Sequence, residues 1–241
     1  MLGKKIIEFD RIDSTNNYIK LNIDKLDTGT IVISKHQSSG YGRMKRTWYD
    51  DGSNLTFSVL LKLSDTKRIT LLTQVAAASV RNALSELGFE SHIKWPNDIL
   101  VNDKKICGIL LESILDDKEV NVILGIGLNV NMRDFDLEIK NKATSMFLES
   151  NEEFQLYDVL NKIIVNLNKY YECFLKGRLD YLDVCRKHSY VIGKFVMLDS
   201  ASSKKVLVKG IDDEGRLIVD INGEEVTYYG SEVSLSSIYR T

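Results

Sequence analysis

The side chains best suited to chemistry lie between positions 94 and 112. Lys94-Trp95-Pro96-Asn97-Asp98 is followed by Lys104-Lys105-Ile106-Cys107-Gly108 and leads to Glu112. The stretch holds the only proline of the chain and one of its two tryptophans. At an average usage of about 5%, a chain of this length would carry roughly a dozen prolines. Apolar runs, Ile99-Leu100-Val101 and Ile109-Leu110-Leu111, flank a polar turn at Asn102-Asp103-Lys104. That pattern predicts two buried strands joined by a turn. An amide, carboxylates and ammonium groups set at the ends of buried strands make a candidate site.

Three other stretches carry polar groups of the right kind. Gln37-Ser38-Ser39-Gly40-Tyr41-Gly42-Arg43-Met44-Lys45-Arg46-Thr47-Trp48 has no apolar period. Gly40 and Gly42 let backbone N–H groups approach a ligand, and Arg43, Lys45 and Arg46 add positive charge. The loop suits a phosphate or carboxylate, although a solvated loop has the same composition. Ser14-Thr15-Asn16-Asn17 precedes a short apolar period and supplies a helix N-cap, which is also a sufficient reason for those residues. Gly125-Ile126-Gly127-Leu128-Asn129-Val130 resembles the start of a dinucleotide fingerprint, but Val130 stands where the third glycine belongs and the segment continues as a strand. The Rossmann reading fails on both counts. Gly125 and Gly127 instead leave room for a flat ring against the strand.

These stretches need elements to hold them. Strands are predicted at residues 5–10, 30–34, 55–63, 92–95 and 120–124, and helices at 69–87, 154–175 and about 178–187. Leu55, Phe57, Val59 and Leu61 share one strand face. Gly88 and Gly177 are natural helix stops. From Tyr190 the texture changes to short strands at 190–199, 205–211, 216–221 and 224–229. Asp213-Glu214-Gly215 and Asn222-Gly223 are hairpin turns between them. The chain therefore divides into residues 1–187 and a β-barrel-like module over 188–241. The fold class is α+β, a mixed sheet backed by helices.

Composition excludes several classes. The 241 residues are 44% hydrophobic and 27% charged, a soluble globular mix able to bury a core. The formal charge of −2 does not suit a protein that coats nucleic acid. Cys107, Cys173 and Cys185 are scattered, with no CxxC pair, so neither a disulfide framework nor a structural zinc site is expected. His36, His92 and His188 have no ligand spacing. The N-terminus has no signal-peptide core and no apolar run is long enough to span a membrane, so a cytoplasmic protein is expected.

Taken in order, the Ser14-Thr15-Asn16 cap, the glycine–arginine loop ending at Trp48, Lys94-Trp95-Pro96-Asn97-Asp98 with Lys105-Ile106-Cys107-Gly108-Ile109-Leu110, and Gly125 to Val130 resemble the biotin–protein ligases (biotin–[acetyl-CoA-carboxylase] ligases). The resemblance covers almost the whole chain, including the SH3-like C-terminal module such enzymes carry. It implies the biotin-ligase fold, related to class II synthetases, and two half-reactions. Biotin and Mg-ATP give biotinyl-5′-AMP and pyrophosphate; a lysine of a biotin carboxyl carrier domain then takes the biotin and releases AMP. Two anions must meet, so positioned cations and Mg²⁺ are required, the Mg²⁺ arriving with ATP rather than in a protein metal site.

By the same resemblance Lys105, Arg43, Arg46 and Asp98 are the catalytic candidates. Each charge-assisted contact would contribute about 1.5–3 kcal/mol. Biotin would be held by Ser14, Thr15, Asn16, Gln37, Gly40, Tyr41, Gly42, Arg43, Lys105 and Gly108. The nucleotide would meet Arg43, Arg46, Trp48, Lys94, Asn97, Gly127 and Asn129. Asp98 would orient Lys105 or take the proton of the acceptor lysine. Lys94 would face the phosphates or pair with Asp98. Loop closure would exclude water from the mixed anhydride.

This sequence departs from the family's G-R-G-R-x-G-R-x-W loop at Tyr41, in place of the first arginine, and at Lys45, in place of a glycine. Ser236 stands where some members place an arginine. Only 13 residues precede Ser14, too few for the helix-turn-helix domain of the repressor members, so no specific DNA binding is expected. The resemblance accommodates either a monomer or a homodimer. Rival readings are a lipoate or octanoate ligase of the same broad fold and, given the altered loop, a non-catalytic sensor that binds biotin without turning over ATP.

Overall fold

The structure, a computed structural model, describes residues 1–64, 66–116, 119–198, 205–231 and 235–239, the last four of these without side chains. Ser236 therefore lies outside the described side chains. Seven strands form one sheet: β1 (Ile6–Ile12), β2 (Ile31–Gln37), β3 (Leu55–Leu63), β4 (His92–Lys94), β5 (Asp98–Val101), β6 (Lys104–Leu115) and β7 (Val120–Leu128). Their order is β1-β2-β3-β7-β6-β5-β4. Only the β1–β2 pair is parallel, so the sheet is mixed, as expected.

Side-chain alternation gives this sheet two different faces. Phe57, Val59 and Leu61 of β3, with Val122 and Leu124 of β7, join the large core under α2 (Leu71–Glu86) and α4 (Leu156–Leu175). Burying each such side chain stabilises the fold by roughly 1.5–3 kcal/mol. The opposite face has a small apolar cluster, Ile19, Leu26, Val32, Leu60 and Ile123, under α1 (Thr15–Leu21). Beyond that cluster the face carries small residues. Thr56 pairs with Gly127, Ser58 with Gly125, and Gly108 with Gly127. This polar, low-relief floor is where the site sits.

The turn between β5 and β6 is built as its residues dictate. Asn102 and Asp103 both take positive φ, 48° and 63°, as a two-residue hairpin turn requires. One helix was not resolved by periodicity: α3 (Met146–Ser150) is too short to show a period. α2 falls where its spacing predicts it, beginning two residues after the expected Ile69. The last helix, α5 (Asp180–Lys187), falls where expected.

The C-terminal strands are β8 (Phe195–Leu198), β9 (Lys205–Ile211), β10 (Leu217–Ile221), β11 (Glu224–Tyr228) and β12 (Leu235–Tyr239). They form an antiparallel sheet in the order β11-β10-β9-β8-β12. The barrel-like expectation is corrected in one respect: among the described residues no ladder joins β11 to β12, so the sheet is open. Register shifts at Ile218/Val219 and Leu235/Ser237 bend it instead. The strand expected from 190 begins only at Phe195. Residues 188–190 pair with the large sheet, Ile93 N donating to His188 O and Tyr190 N to Ile93 O, both at 2.8 Å. Gly193, at φ 79°, then turns the chain into β8.

All three cysteines are free and buried. Burial pushes the Cys185 thiol up to about 12 and raises Cys107 further. Iodoacetamide at about pH 8 is expected to leave these two unmodified in the folded protein and to alkylate both in guanidinium, read by mass spectrometry of a digest. Stability should also fall as the pH rises past the ordinary thiol value of 9.0, because the unfolded chain releases protons there that the folded chain keeps.

Candidate functional site

A cavity of about 190 Å³ opens on the small-residue floor. Its lining gathers nearly every candidate: Ser14, Thr15 and Asn16 from α1 and its cap, Gln37 from β2, Tyr41, Gly42, Arg43, Arg46 and Trp48 from the loop, Lys94, Asn97 and Asp98 around the proline turn, and Lys105, Gly108 and Gly127 from β6 and β7. Gly40 stands just behind it, where a Cβ would lie 3.0 Å from Gln37 Nε2. The Trp95–Pro96 peptide is cis.

The Ser14 side chain caps α1 by accepting from Asn17 N. That fixes the next two residues. Thr15 N and Oγ1 both donate to Gln37 Oε1, at 2.8 and 3.1 Å. Thr15 Oγ1 also lies 2.7 Å from Ser58 Oγ, and Ser58 in turn donates to Asn16 Oδ1. The Asn16 amide lies flat over Gly125, where a Cβ would come within 2.6 Å of its oxygen. Asn16 Nδ2 donates to Glu112 Oε2 at 2.8 Å. The polar groups at this end form a connected network, of the kind that gives a pocket directional selectivity.

Trp48 covers the other end. Its indole lies against Gly127, where a Cβ would meet the ring at 2.5 Å, and against Gly108 at 3.2 Å. The flat ring that the glycines were expected to admit is thus, at Gly127, one of the protein's own. Trp48 Nε1 is buried with no hydrogen-bond partner.

Lys105 reaches the floor through a bulge. Ile99 pairs with Cys107 but Leu100 with Lys105, so two residues of β6 face one of β5. The extra residue re-aims Lys105, placing its Nζ where a Gly108 Cβ would be 3.0 Å away. Its ammonium pairs with Asp98 Oδ1 at 2.7 Å and lies 5.8 Å from the centre of the Trp48 ring. The Asp98 oxygen that faces Lys105 is buried. Of the two pairings open to Asp98, the structure holds the one with Lys105, while Lys94 lines the cavity.

The basic loop is folded over the site. Gly42 N donates to Arg46 O at 2.8 Å and Trp48 N to Gly40 O at 2.9 Å. Met44 and Lys45 sit at φ 56° and 58°, so Lys45 occupies the left-handed region that the family's glycine adopts freely. Arg43 bridges Asn97 Oδ1, at 3.1 Å, and the Gly230 carbonyl of the C-terminal sheet. Burial, with Arg46 adding to it, holds the Arg43 guanidinium below its usual range against the pull of Asp98.

Asn129 stands outside the cavity lining. It is buried, and its Nδ2 donates to Thr144 O at 2.9 Å while its backbone N donates to Ile106 O. Asn129 ties the chain after β7 to the loop that precedes α3. Residues the sequence reading passed over are Thr56, Ser58 and Lys20. The first two were legible as the polar positions alternating with Phe57 and Val59. Glu112 closes the stretch singled out in the sequence, but its pairing with Lys20 carries no local signal, since it spans 92 positions.

Comparison with known proteins agrees with this geometry. The pattern of the Biotin/lipoate A/B protein ligase family matches residues 8–129, and that of the Biotin protein ligase C terminal domain matches residues 192–236. The bifunctional ligase/repressor BirA of Bacillus subtilis is 32% identical over 98% of this chain and 75% of its own length. The biotin–[acetyl-CoA-carboxylase] ligase of Mycobacterium tuberculosis is 27% identical over 85% of this chain and 78% of its own. Among solved structures, the biotin protein ligase of Aquifex aeolicus in complex with biotin and ATP superposes with a TM-score of 0.88, at 26% identity, covering 99% of this chain and 100% of that one. With a family pattern over half of its length and full-length likeness in sequence and structure, the chain belongs to the biotin/lipoate A/B protein ligase family, on its biotin–protein ligase side, and is a ligase.

Proposed function

We propose that the chain activates biotin with MgATP and passes it to a lysine of a biotin carboxyl carrier domain. A carboxylate oxygen of biotin attacks the α-phosphorus and pyrophosphate leaves. The carrier's ε-amine then attacks the acyl carbon of the mixed anhydride and AMP leaves. The observation that supports this most directly is Lys105, held by Asp98 over Gly108 in the same cavity as Arg43 and Arg46. Three cations converge where a carboxylate must approach a phosphate, and preorganised charge there offsets the repulsion of two anions.

The roles are those the family resemblance implies, and the gathering of these residues around one cavity supports them. Ser14, Thr15, Asn16 and Gln37 bind the ureido end of biotin, with Gly40, Tyr41 and Gly42 offering backbone groups. Trp48, Lys94, Asn97 and Gly127 take the nucleotide. Asp98 orients Lys105 and receives a proton from the incoming lysine. Mg²⁺ enters as part of the MgATP substrate. Among the described residues no helix is long and apolar enough to cross a membrane. The formal charge of −2 supports a role without specific DNA contact.

Biotin-dependent exchange of labelled pyrophosphate into ATP tests the reading. Lys105→Ala should lower it by about 10²-fold or more. Exchange that survives the change within tenfold would remove Lys105 from the centre, and exchange that answers to lipoate or octanoate would name the wrong acid. Gly127→Ala separates the two ends of the cavity. The new Cβ must displace Trp48, at a cost of about 1–3 kcal/mol in nucleotide binding, roughly 5–150-fold. Biotin binding, measured by calorimetry, should be little changed, because Asn16 and Gln37 lie beyond that contact.

A further inference from the structure

We propose that Lys20, Glu112 and Tyr41 form a clasp that holds the basic loop closed over the reaction intermediate. The inference rests on the ligase reading and extends it to residues outside the cavity. The three side chains come from α1, β6 and the loop, and each touches the other two. Lys20 Nζ donates to Glu112 Oε1 at 2.7 Å and to Tyr41 Oη at 2.9 Å. Tyr41 Oη lies 3.0 Å from both Glu112 Oε2 and Asn17 Oδ1, and its single proton serves one of them. Lys45, from the loop itself, sits 4.3 Å from the centre of the Tyr41 ring. The Lys20 and Glu112 side chains are only 26% and 22% exposed, so water screens the pair less than it would at the surface. Burial works to raise the Glu112 carboxyl, but hydrogen bonds from Lys20, Asn16 and Tyr41 outweigh it and hold it below its ordinary value.

Two features make this a clasp rather than one more packing contact. The first is which anchors survive catalysis. Arg43 holds the loop through Asn97 and Gly230, and in the proposed reaction it must give those partners up to the phosphate. Tyr41 borders the cavity, but its hydroxyl is bonded to Lys20 and Glu112, which lie outside the lining, so this anchor does not compete with the ligand. The second is the shared carboxylate. Glu112 Oε2 accepts from Asn16, at the biotin end, as well as from Tyr41. Ordering Asn16 on a ligand therefore fixes the acceptor on which the loop closes. The cation that the loop lacks at position 41 is supplied from α1, as Lys20.

The test uses the full chain with biotin and MgATP and no carrier protein. Two rates are measured: pyrophosphate exchange, and release of AMP as water cleaves the mixed anhydride to biotin and AMP. Lys20→Met and Tyr41→Phe should each raise AMP release relative to exchange by roughly tenfold, the loss of hydrogen bonds to a charged group. The double variant should do no more than either single one, because all cut the same clasp. Lys20→Arg should restore the ratio of the parent. A ratio unchanged within about twofold in both variants, or effects that multiply in the double variant, would overturn the clasp. Should Lys20→Met fail to fold, Tyr41→Phe, which keeps the ring, decides alone. A parent protein without biotin-dependent exchange would overturn the ligase reading and the clasp with it, an outcome distinct from exchange with unchanged leakage.

Discussion

A Cβ at position 127 would lie 2.5 Å from the Trp48 indole, and one at position 125 would lie 2.6 Å from the Asn16 amide. Neither contact is tolerable, so the two glycines of β7 decide what lies on the sheet. They are two residues apart and therefore on one face. One receives a flat ring from the basic loop and the other a flat amide from α1. The loop can close only because position 127 offers no side chain, and α1 can come down to the sheet only because position 125 offers none. The division of the cavity into two ends, with Asn16 at one and Trp48 at the other, is a consequence of that pair of missing side chains.

Charge supplies what steric fit does not. Lys105, Arg43, Arg46 and Lys94 all border one cavity, with Asp98 as the carboxylate ion-paired within it. Clustered cations destabilise a fold unless something separates or pairs them. Here Asp98 pairs Lys105, and Arg43 spends its guanidinium on an amide and a carbonyl. Both arrangements leave the cations within reach: the Lys105 side chain is 36% exposed, and Arg43 bonds neutral partners that an anion can displace. The site thus holds its cations in place while leaving them available.

Much of this was legible before any coordinates. The strand pattern of β3, the turn at Asn102-Asp103, the helix stops at Gly88 and Gly177, and the Ser14 cap all follow from local chemistry, and all are found where local chemistry puts them. What escaped depends on partners distant in sequence. The extra residue in β6 that re-aims Lys105 is set by its pairing with β5, not by the run Lys104-Lys105-Ile106. Asn129 is named for the nucleotide by the resemblance alone. β7 ends at Leu128, and the bond from the Asn129 amide to the Thr144 carbonyl, 15 positions away, has no local signal. The fifth strand of the C-terminal sheet and the open order of that sheet are also set by tertiary pairing rather than by composition.

The C-terminal sheet is joined to the chemistry through the same five residues that single out the site in the sequence. Trp95 is 2% exposed and donates through Nε1 to the Gly215 carbonyl at 3.0 Å. Pro96 lies against Gly230, where a Cβ would approach within 2.8 Å, and Asn97 shares Arg43 with the carbonyl of that glycine. The stretch from Lys94 to Asp98 is therefore a junction. Its charged ends face the cavity, and its middle is gripped by the hairpin turn at Gly215 and by Gly230. A module that touched only the outer surface of the larger sheet could be lost at little cost to the site. This one fixes the backbone from which Asp98 reaches Lys105, and its Gly230 carbonyl is one of the two groups that position Arg43. The precision of the cation cluster thus depends on a module that, among the described residues, lends the cavity itself only Leu235.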